Sequence, residues 1–242
     1  MFFVLLYLFV NSGIVLAAGP YTHVYLTQKW IDKNRPEYNL AQNIALKRSC
    51  LLGGLWPDIR YLYMQRGKDG GVNRNQTHEF GLSVADLKMC TDPCCLGKKI
   101  HAFVDEQRDK FVDKDNIREK LFKKCKKLPK QFSDRFLKFL EDEVLYAMQE
   151  KWDNFTWARD FIDQQETILE IPEADVKEWH ERLIFIFSDR PIKILEKVKS
   201  STYFDTSSEV LQIWHDLMPD LSQDPEIINY VKRMLCFFEE LF

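Results

Sequence analysis

The sequence predicts an all-α protein, and three observations carry that expectation. Strand-like alternation of apolar and polar residues is nearly absent. Apolar residues recur instead at helical spacing, in one segment after another. Only 9 Gly and 9 Pro punctuate 242 residues, few for a loop-rich β protein. The length is enough for one sizeable helical domain with a real core. An apolar content of 45% and an aromatic content of 14% place the chain among globular proteins and exclude a disordered one. A net charge of −3 argues against bulk nucleic-acid binding. No internal repeat or low-complexity linker divides the chain.

The elements follow in order. Phe2 to Val10 is apolar except for Tyr7, and Val15-Leu16-Ala17 fits a small-residue cleavage site, so residues 1–17 read as a signal peptide. The positive segment that usually opens a leader is missing, and an uncleaved anchor is the alternative, although the apolar run is short for a span. Residues 18–242 are then the folded domain, secreted or periplasmic. Thr22–Lys33 places Val24, Leu26, Trp30 and Ile31 at near-helical spacing. Pro36 interrupts, and Leu40–Leu52 is a second helix stopped by Gly53-Gly54. Trp56–Asn75, with Pro57, Gly67, Gly70 and Gly71, reads mostly as loop. Phe80–Met89 and Lys98–Val112 are the next helices. Gln131–Lys151, Ala174–Lys199, Ser208–Leu217 and Pro225–Leu241 complete the set.

Export gives weight to the six cysteines, Cys50, Cys90, Cys94, Cys95, Cys125 and Cys236. An even count in an exported chain suggests disulfides, in any of fifteen connectivities. The spacing Cys90-x3-Cys94-Cys95 is not that of a zinc finger, which favours disulfides over a metal cluster. Asn75-Gln-Thr77 and Asn154-Phe-Thr156 are formal glycosylation acceptors. Lysines crowd the stretch Lys120–Lys130, with Leu121, Phe122 and Leu128 between them; it reads either as peripheral membrane contact or as a solvated helix end.

Histidine is scarce, and three of the five, His23, His78 and His101, fall in the N-terminal half beside carboxylates or turn residues. His101 and Asp105 stand four apart on a predicted helix, so one face presents an imidazole and a carboxylate together. Taken alone this is also the pattern of a surface pair. Asp58 follows the apolar turn Gly53-Gly54-Leu55-Trp56-Pro57, and a carboxylate buried there needs a cation or several donors. His23 opens the first helix, and Thr77-His78 closes the loop after Asp58. Two imidazoles with two carboxylates suit zinc, with manganese or iron as alternatives. His180 and His215 lack a carboxylate four residues on and read as packing or surface residues.

Four segments together resemble a known family. Gly19-Pro-Tyr-Thr-His23, Leu52-Gly-Gly-Leu-Trp-Pro-Asp58-Ile-Arg60, Arg74-Asn-Gln-Thr-His78 and Gly97-Lys-Lys-Ile-His101-Ala-Phe-Val-Asp105-Glu106 look like the zinc-dependent phospholipase C family, which shares its all-helical fold with the single-strand-specific zinc nucleases. The resemblance covers residues 19–106. It implies one zinc held by Asp58, His78, His101 and Asp105. It implies a second, bridged by Asp105 and held by His23 and by the amino group and carbonyl of the mature first residue. Cleavage after Ala17 makes that residue Ala18, where the family often has Trp. Active trinuclear members add a further histidine after the His-x3-Asp helix and a His-x3-Glu pair beyond it. Here no histidine lies between His101 and His180, so two Zn2+ ions are expected and the third site is absent or rebuilt.

The implied chemistry is hydrolysis of a phosphodiester on a phospholipid head group by a zinc-activated water, which two metals about 3.5–4 Å apart both activate and clamp. Asp58 is the candidate to orient or deprotonate that water. Arg60, Arg66 and Arg74 could contact phosphate bidentately. Trp56, Tyr61 and Tyr63 either line a pocket or belong to the core. Two alternatives stand beside this reading: a non-catalytic, metal-binding relative acting as an effector, and a single-strand nuclease of the same fold. No stable nucleic-acid partner is expected.

Overall fold

Capping chemistry sets where the helices begin. Asp92 accepts the Cys95 N–H at 2.6 Å and Pro93 fills the next position, so the longest helix starts five residues before the predicted Lys98. Asn73 with Gln76, and Ser83 with Asp86, form capping boxes. Asp224 followed by Pro225 opens the last helix where the sequence places it. Asn116, in the left-handed conformation that asparagine tolerates, separates two consecutive helices.

The computed structural model describes residues 18–65, 72–129, 133–198 and 207–242. The expected leader, Arg66 and Lys130 lie outside them. The described residues are all-α and contain no strand. The helices are α1 (Pro20–Asn34), α2 (Ile44–Gly53), α3 (Arg60–Gln65), α4 (Arg74–Thr77), α5 (Val84–Met89) and α6 (Pro93–Asp115). They continue with α7 (Ile117–Lys124), α8 (Ser133–Met148), α9 (Glu173–Ile186), α10 (Pro191–Val198), α11 (Ser208–Leu221) and α12 (Pro225–Leu241). Short 3-10 turns cover Trp56–Ile59, Thr156–Asp160 and Gln164–Glu170. No helix among the described residues is long and apolar enough to cross a membrane.

Two predicted elements are corrected. The segment Trp56–Asn75 is not mostly loop: where described it is the 3-10 turn, α3 and the start of α4, because Leu62 and Tyr63 turn into the core. The single helix expected over Ala174–Lys199 is two, broken before Pro191, whose ring has no N–H to give the preceding turn. The lysine-rich stretch contains α7, whose Leu121 is fully buried with Leu128 close behind. Its lysines meet carboxylates: Lys124 lies 2.6 Å from Asp224 and 2.9 Å from Glu226, and Lys123 lies 3.0 Å from Glu119. The cysteines expected in disulfides are free thiols in this structure, with Cys50, Cys94 and Cys125 buried.

The site rests on the packing of α2 against α6, the most extensive helix pair. A Cβ on Gly53 would collide with the Cys94 carbonyl, and one on Gly97 with the Cys50 carbonyl. Glycine at both positions therefore lets the two backbones touch. That contact brings the turn after α2, which carries Asp58, against the face of α6 that carries His101 and Asp105. Helix α1 packs on both α6 and α8, with Leu26, Trp30 and Ile31 in the core.

Candidate metal centre

Asp105 is the hub. It is fully buried in α6, and one turn earlier its helix presents His101, also fully buried. Asp105 Oδ2 lies 3.2 Å from His78 Nε2, 3.5 Å from His101 Nε2 and 3.3 Å from Arg74 Nη2. Asp105 Oδ1 lies 3.2 Å from His23 Nε2 and accepts the Ala18 backbone N–H at 2.7 Å. Asp58 Oδ1 stands 3.9 Å from His101 Nε2. All five predicted side-chain ligands thus converge, from four separate segments, with the backbone nitrogen of Ala18 beside them.

Their ligand atoms fall into two clusters, each within 4.8 Å: His23, Asp58 and His101 in one, and His78, His101 and Asp105 in the other. This partition differs from the expected one, because His101 is shared and Asp58 groups with His23. The rings of His23 and His101 are stacked with centroids 3.7 Å apart.

The residues fit a divalent cation. His101 Nδ1 lies 2.8 Å from the Gly54 carbonyl, which requires a proton on Nδ1 and leaves a lone pair on Nε2. His78 Nδ1 lies 2.8 Å from Thr77 Oγ1, and its Nε2 lies 3.4 Å from the Arg60 guanidinium and 3.2 Å from Asp105 Oδ2. Neither nitrogen of His23 has a hydrogen-bond partner, nor has His101 Nε2. Leaving such groups buried and unpaired costs about 1–3 kcal/mol each, a cost that a cation removes.

Electrostatics holds the ligands in their metal-binding protonation states. Burial, reinforced by His101, lowers the His23 pKa to about 4. Burial lowers His78 to about 4 as well. Burial by itself would raise both carboxyls. His101, His23 and His78 outweigh it at Asp105 and hold that group well below its ordinary value. Arg60, His101 and His23 do the same for Asp58. At neutral pH His23 and His78 are neutral imidazoles facing carboxylates.

A consequence follows for the metal-free protein. His23 and His78 bind protons less tightly when folded, at about 4, than when unfolded, at about 6.5. Between these values the unfolded state takes up more protons. Stability is therefore fully present above about pH 6.5 and lost as pH falls toward about 4, on the order of 3 kcal/mol per imidazole. Urea midpoints of chelator-treated protein should fall steadily over that window, and a flat profile would contradict the burial of these rings in the folded state.

The arginines differ in their placement. Arg60 is buried, donating to the Pro57 carbonyl at 3.0 Å and to Tyr61 Oη at 3.1 Å, with Asp58 Oδ1 also 3.0 Å away. Its position braces Asp58 and His78. Arg74 is more exposed, 23% in its side chain, and leans over the Phe80 ring. Trp56 is core, its Nε1 donating to the Glu166 carbonyl. His180 sits outside the centre, bound to Glu166 and the Ala158 carbonyl, and His215 faces Glu196.

Residues that sequence reading missed lie on α8. Asp134, Lys138, Glu141 and Asp142 are buried there. Lys138 pairs with Asp134 at 3.6 Å, and its ammonium has Asp105 and Asp58 among its electrostatic neighbours. Glu141 receives Arg108 of α6 at 2.7 and 3.1 Å. The face of α8 that approaches α6 is thus furnished with internal ion pairs instead of imidazoles. No protein-family model, no curated protein and no solved structure matches this chain.

Proposed function

We propose that the chain is a metal-dependent phosphodiesterase of the zinc phospholipase C type, acting on phospholipid head groups. The observation that carries the reading is the convergence of His23, Asp58, His78, His101 and Asp105 around the buried His23 nitrogens and His101 Nε2, which have no hydrogen-bond partner. A divalent ion bound there supplies a Lewis acid and an acidified water at neutral pH. The protein's own groups do the rest. Asp58 is the only one of the five ligands whose side chain reaches appreciable solvent, at 12%, so it is placed to receive a proton from an incoming water. Arg74, at the outer edge beside Phe80, is placed to bind a phosphoryl oxygen in the plane of its guanidinium. The Gly54 carbonyl holds the His101 imidazole in the tautomer that frees Nε2.

Ala18 makes leader removal a chemical step. With the chain continuous its nitrogen is an amide whose N–H occupies Asp105 Oδ1. With the chain cut after Ala17 the same atom is an amine with a lone pair, next to the Asp105 carboxylate.

A second reading has its own observation. Arg60 and Arg74 already lie on Asp58 and Asp105, and α8 offers paired charges and no histidine, an arrangement suited to a non-catalytic relative. The deciding experiment uses the full chain expressed in an exporting host. It measures elemental metal per chain, the N-terminal mass, and hydrolysis of phosphatidylcholine vesicles and of a single-stranded oligonucleotide. Two zinc per chain, an Ala18 terminus and release of a phosphorylated head group are expected. Metal without hydrolysis of either substrate would select the non-catalytic reading, and cleavage of the oligonucleotide alone would select the nuclease.

A further inference from the structure

Helix α1 begins without a cap of its own. Its N-cap is Gly19, which has no side chain, its first helical residue is Pro20, and its first turn carries no acidic residue. The N–H groups of Tyr21 and Thr22 therefore have no local acceptor, at the positive end of the helix dipole. Asp142 of α8, fully buried, supplies both. Its Oδ2 accepts the Tyr21 N–H at 3.1 Å, and its Oδ1 accepts the Thr22 N–H at 2.9 Å and the Thr22 hydroxyl at 2.8 Å. One carboxylate from about 120 positions along the chain thus acts as an N-cap in trans.

The segment it holds lies between the two contributions of α1 to the metal centre. Ala18 precedes it and donates to Asp105 Oδ1; His23 follows it and lies 3.2 Å from the same oxygen. Gly19 records how tight the seat is: a Cβ there would collide with both carboxylate oxygens and the Cγ of Asp142. Asp142 is not in either cluster of ligand atoms.

We propose that Asp142 is a positioning residue for the half of the metal centre built by Ala18 and His23, setting their approach to Asp105 without touching the ion. This rests on the two-metal reading given above. Outer groups of this kind change metal affinity by about 10–100-fold when altered. Asp142→Asn keeps the volume but replaces one of the two acceptor oxygens with an amide donor, so one of the two N–H groups loses its acceptor. It should weaken one of two zinc sites by about that factor and leave the other at wild-type affinity.

The test titrates zinc into chelator-stripped, exported full-chain protein, wild type and Asp142→Asn, by calorimetry, with amide hydrogen exchange at Tyr21 and Thr22 read in parallel. Gly19→Ala, which crowds the same carboxylate without removing it, should reproduce the selective loss and serves if Asp142→Asn does not fold. Tyr21→Phe is the control. It removes the hydroxyl anchored on the Asp189 and Ile186 carbonyls, and so loosens α1 without touching the cap. Selective loss of one site with faster exchange in Asp142→Asn or Gly19→Ala, and two intact sites in Tyr21→Phe, is the expected result. Two intact sites in both cap variants, or equal weakening of both sites in all three variants, would overturn the role of Asp142. A wild-type chain that binds fewer than two ions would instead overturn the two-metal reading itself, whatever the exchange rates show.

Discussion

His101→Ala should strip the protein of metal altogether, because His101 belongs to both clusters of ligand atoms. Elemental zinc in the exported protein is expected to drop from two ions per chain to almost none. Any phosphodiesterase activity should fall on the order of 10³-fold or more, since removing even a single donor to a transition state costs about 10²–10³. The substitution also leaves the Gly54 carbonyl without its partner, and His180→Ala separates the two effects. His180 is just as deeply buried and is bonded through both nitrogens, to Glu166 and the Ala158 carbonyl. Its loss should lower stability and leave metal content unchanged. Retention of both metals in His101→Ala would remove the centre from this part of the molecule.

Arg108→Ala should be among the most destabilising single changes in the chain. The guanidinium is fully buried and grips Glu141 through Nε at 2.7 Å and Nη2 at 3.1 Å, while Tyr230 donates to the same carboxylate at 2.6 Å. Asp134 stands 3.6 Å from Nη1. Glu141 is itself fully buried, so deleting the arginine leaves an uncompensated charge in the core, a change that typically costs about 3–5 kcal/mol. The double variant Arg108→Met with Glu141→Leu should recover most of that loss, because a buried pair repays little more than its own desolvation. Equilibrium urea unfolding of the three proteins checks both statements. A single variant within about 1 kcal/mol of wild type, the usual range for an exposed pair, would mean that water reaches Glu141.

The two predictions probe different layers of one arrangement. Helix α6 carries His101 and Asp105 toward the metal centre and, one further turn along the same face, Arg108 toward α8. Helix α8 answers with Glu141 for Arg108 and with Asp142 for the start of α1. The candidate metal centre is therefore backed by a buried polar layer, and such layers are demanding because each partner lost exposes the rest.

What the sequence by itself determined was local. Helical spacing, the near absence of alternation, and caps such as Asp224 with Pro225 act within a few residues, so the all-α class and the span of the last helix were legible without any structure. The four short segments bearing His23, Asp58, His78 and the His101–Asp105 pair were legible for the same reason, since each announces its chemistry through its neighbours. Local signals also misled where a distant contact decided the outcome, as between Trp56 and Asn75, where burial of Leu62 and Tyr63 favours helix over loop. Only the tertiary structure decided that these ligands meet, that His101 serves both clusters, that Arg60 braces Asp58, and that Asp142 caps α1. Each of those depends on a partner tens of residues away, and no residue carries a mark of the partner that will satisfy it. The physical reason is that a buried polar group needs some partner, and its own sequence states that need, while packing alone chooses which group answers it.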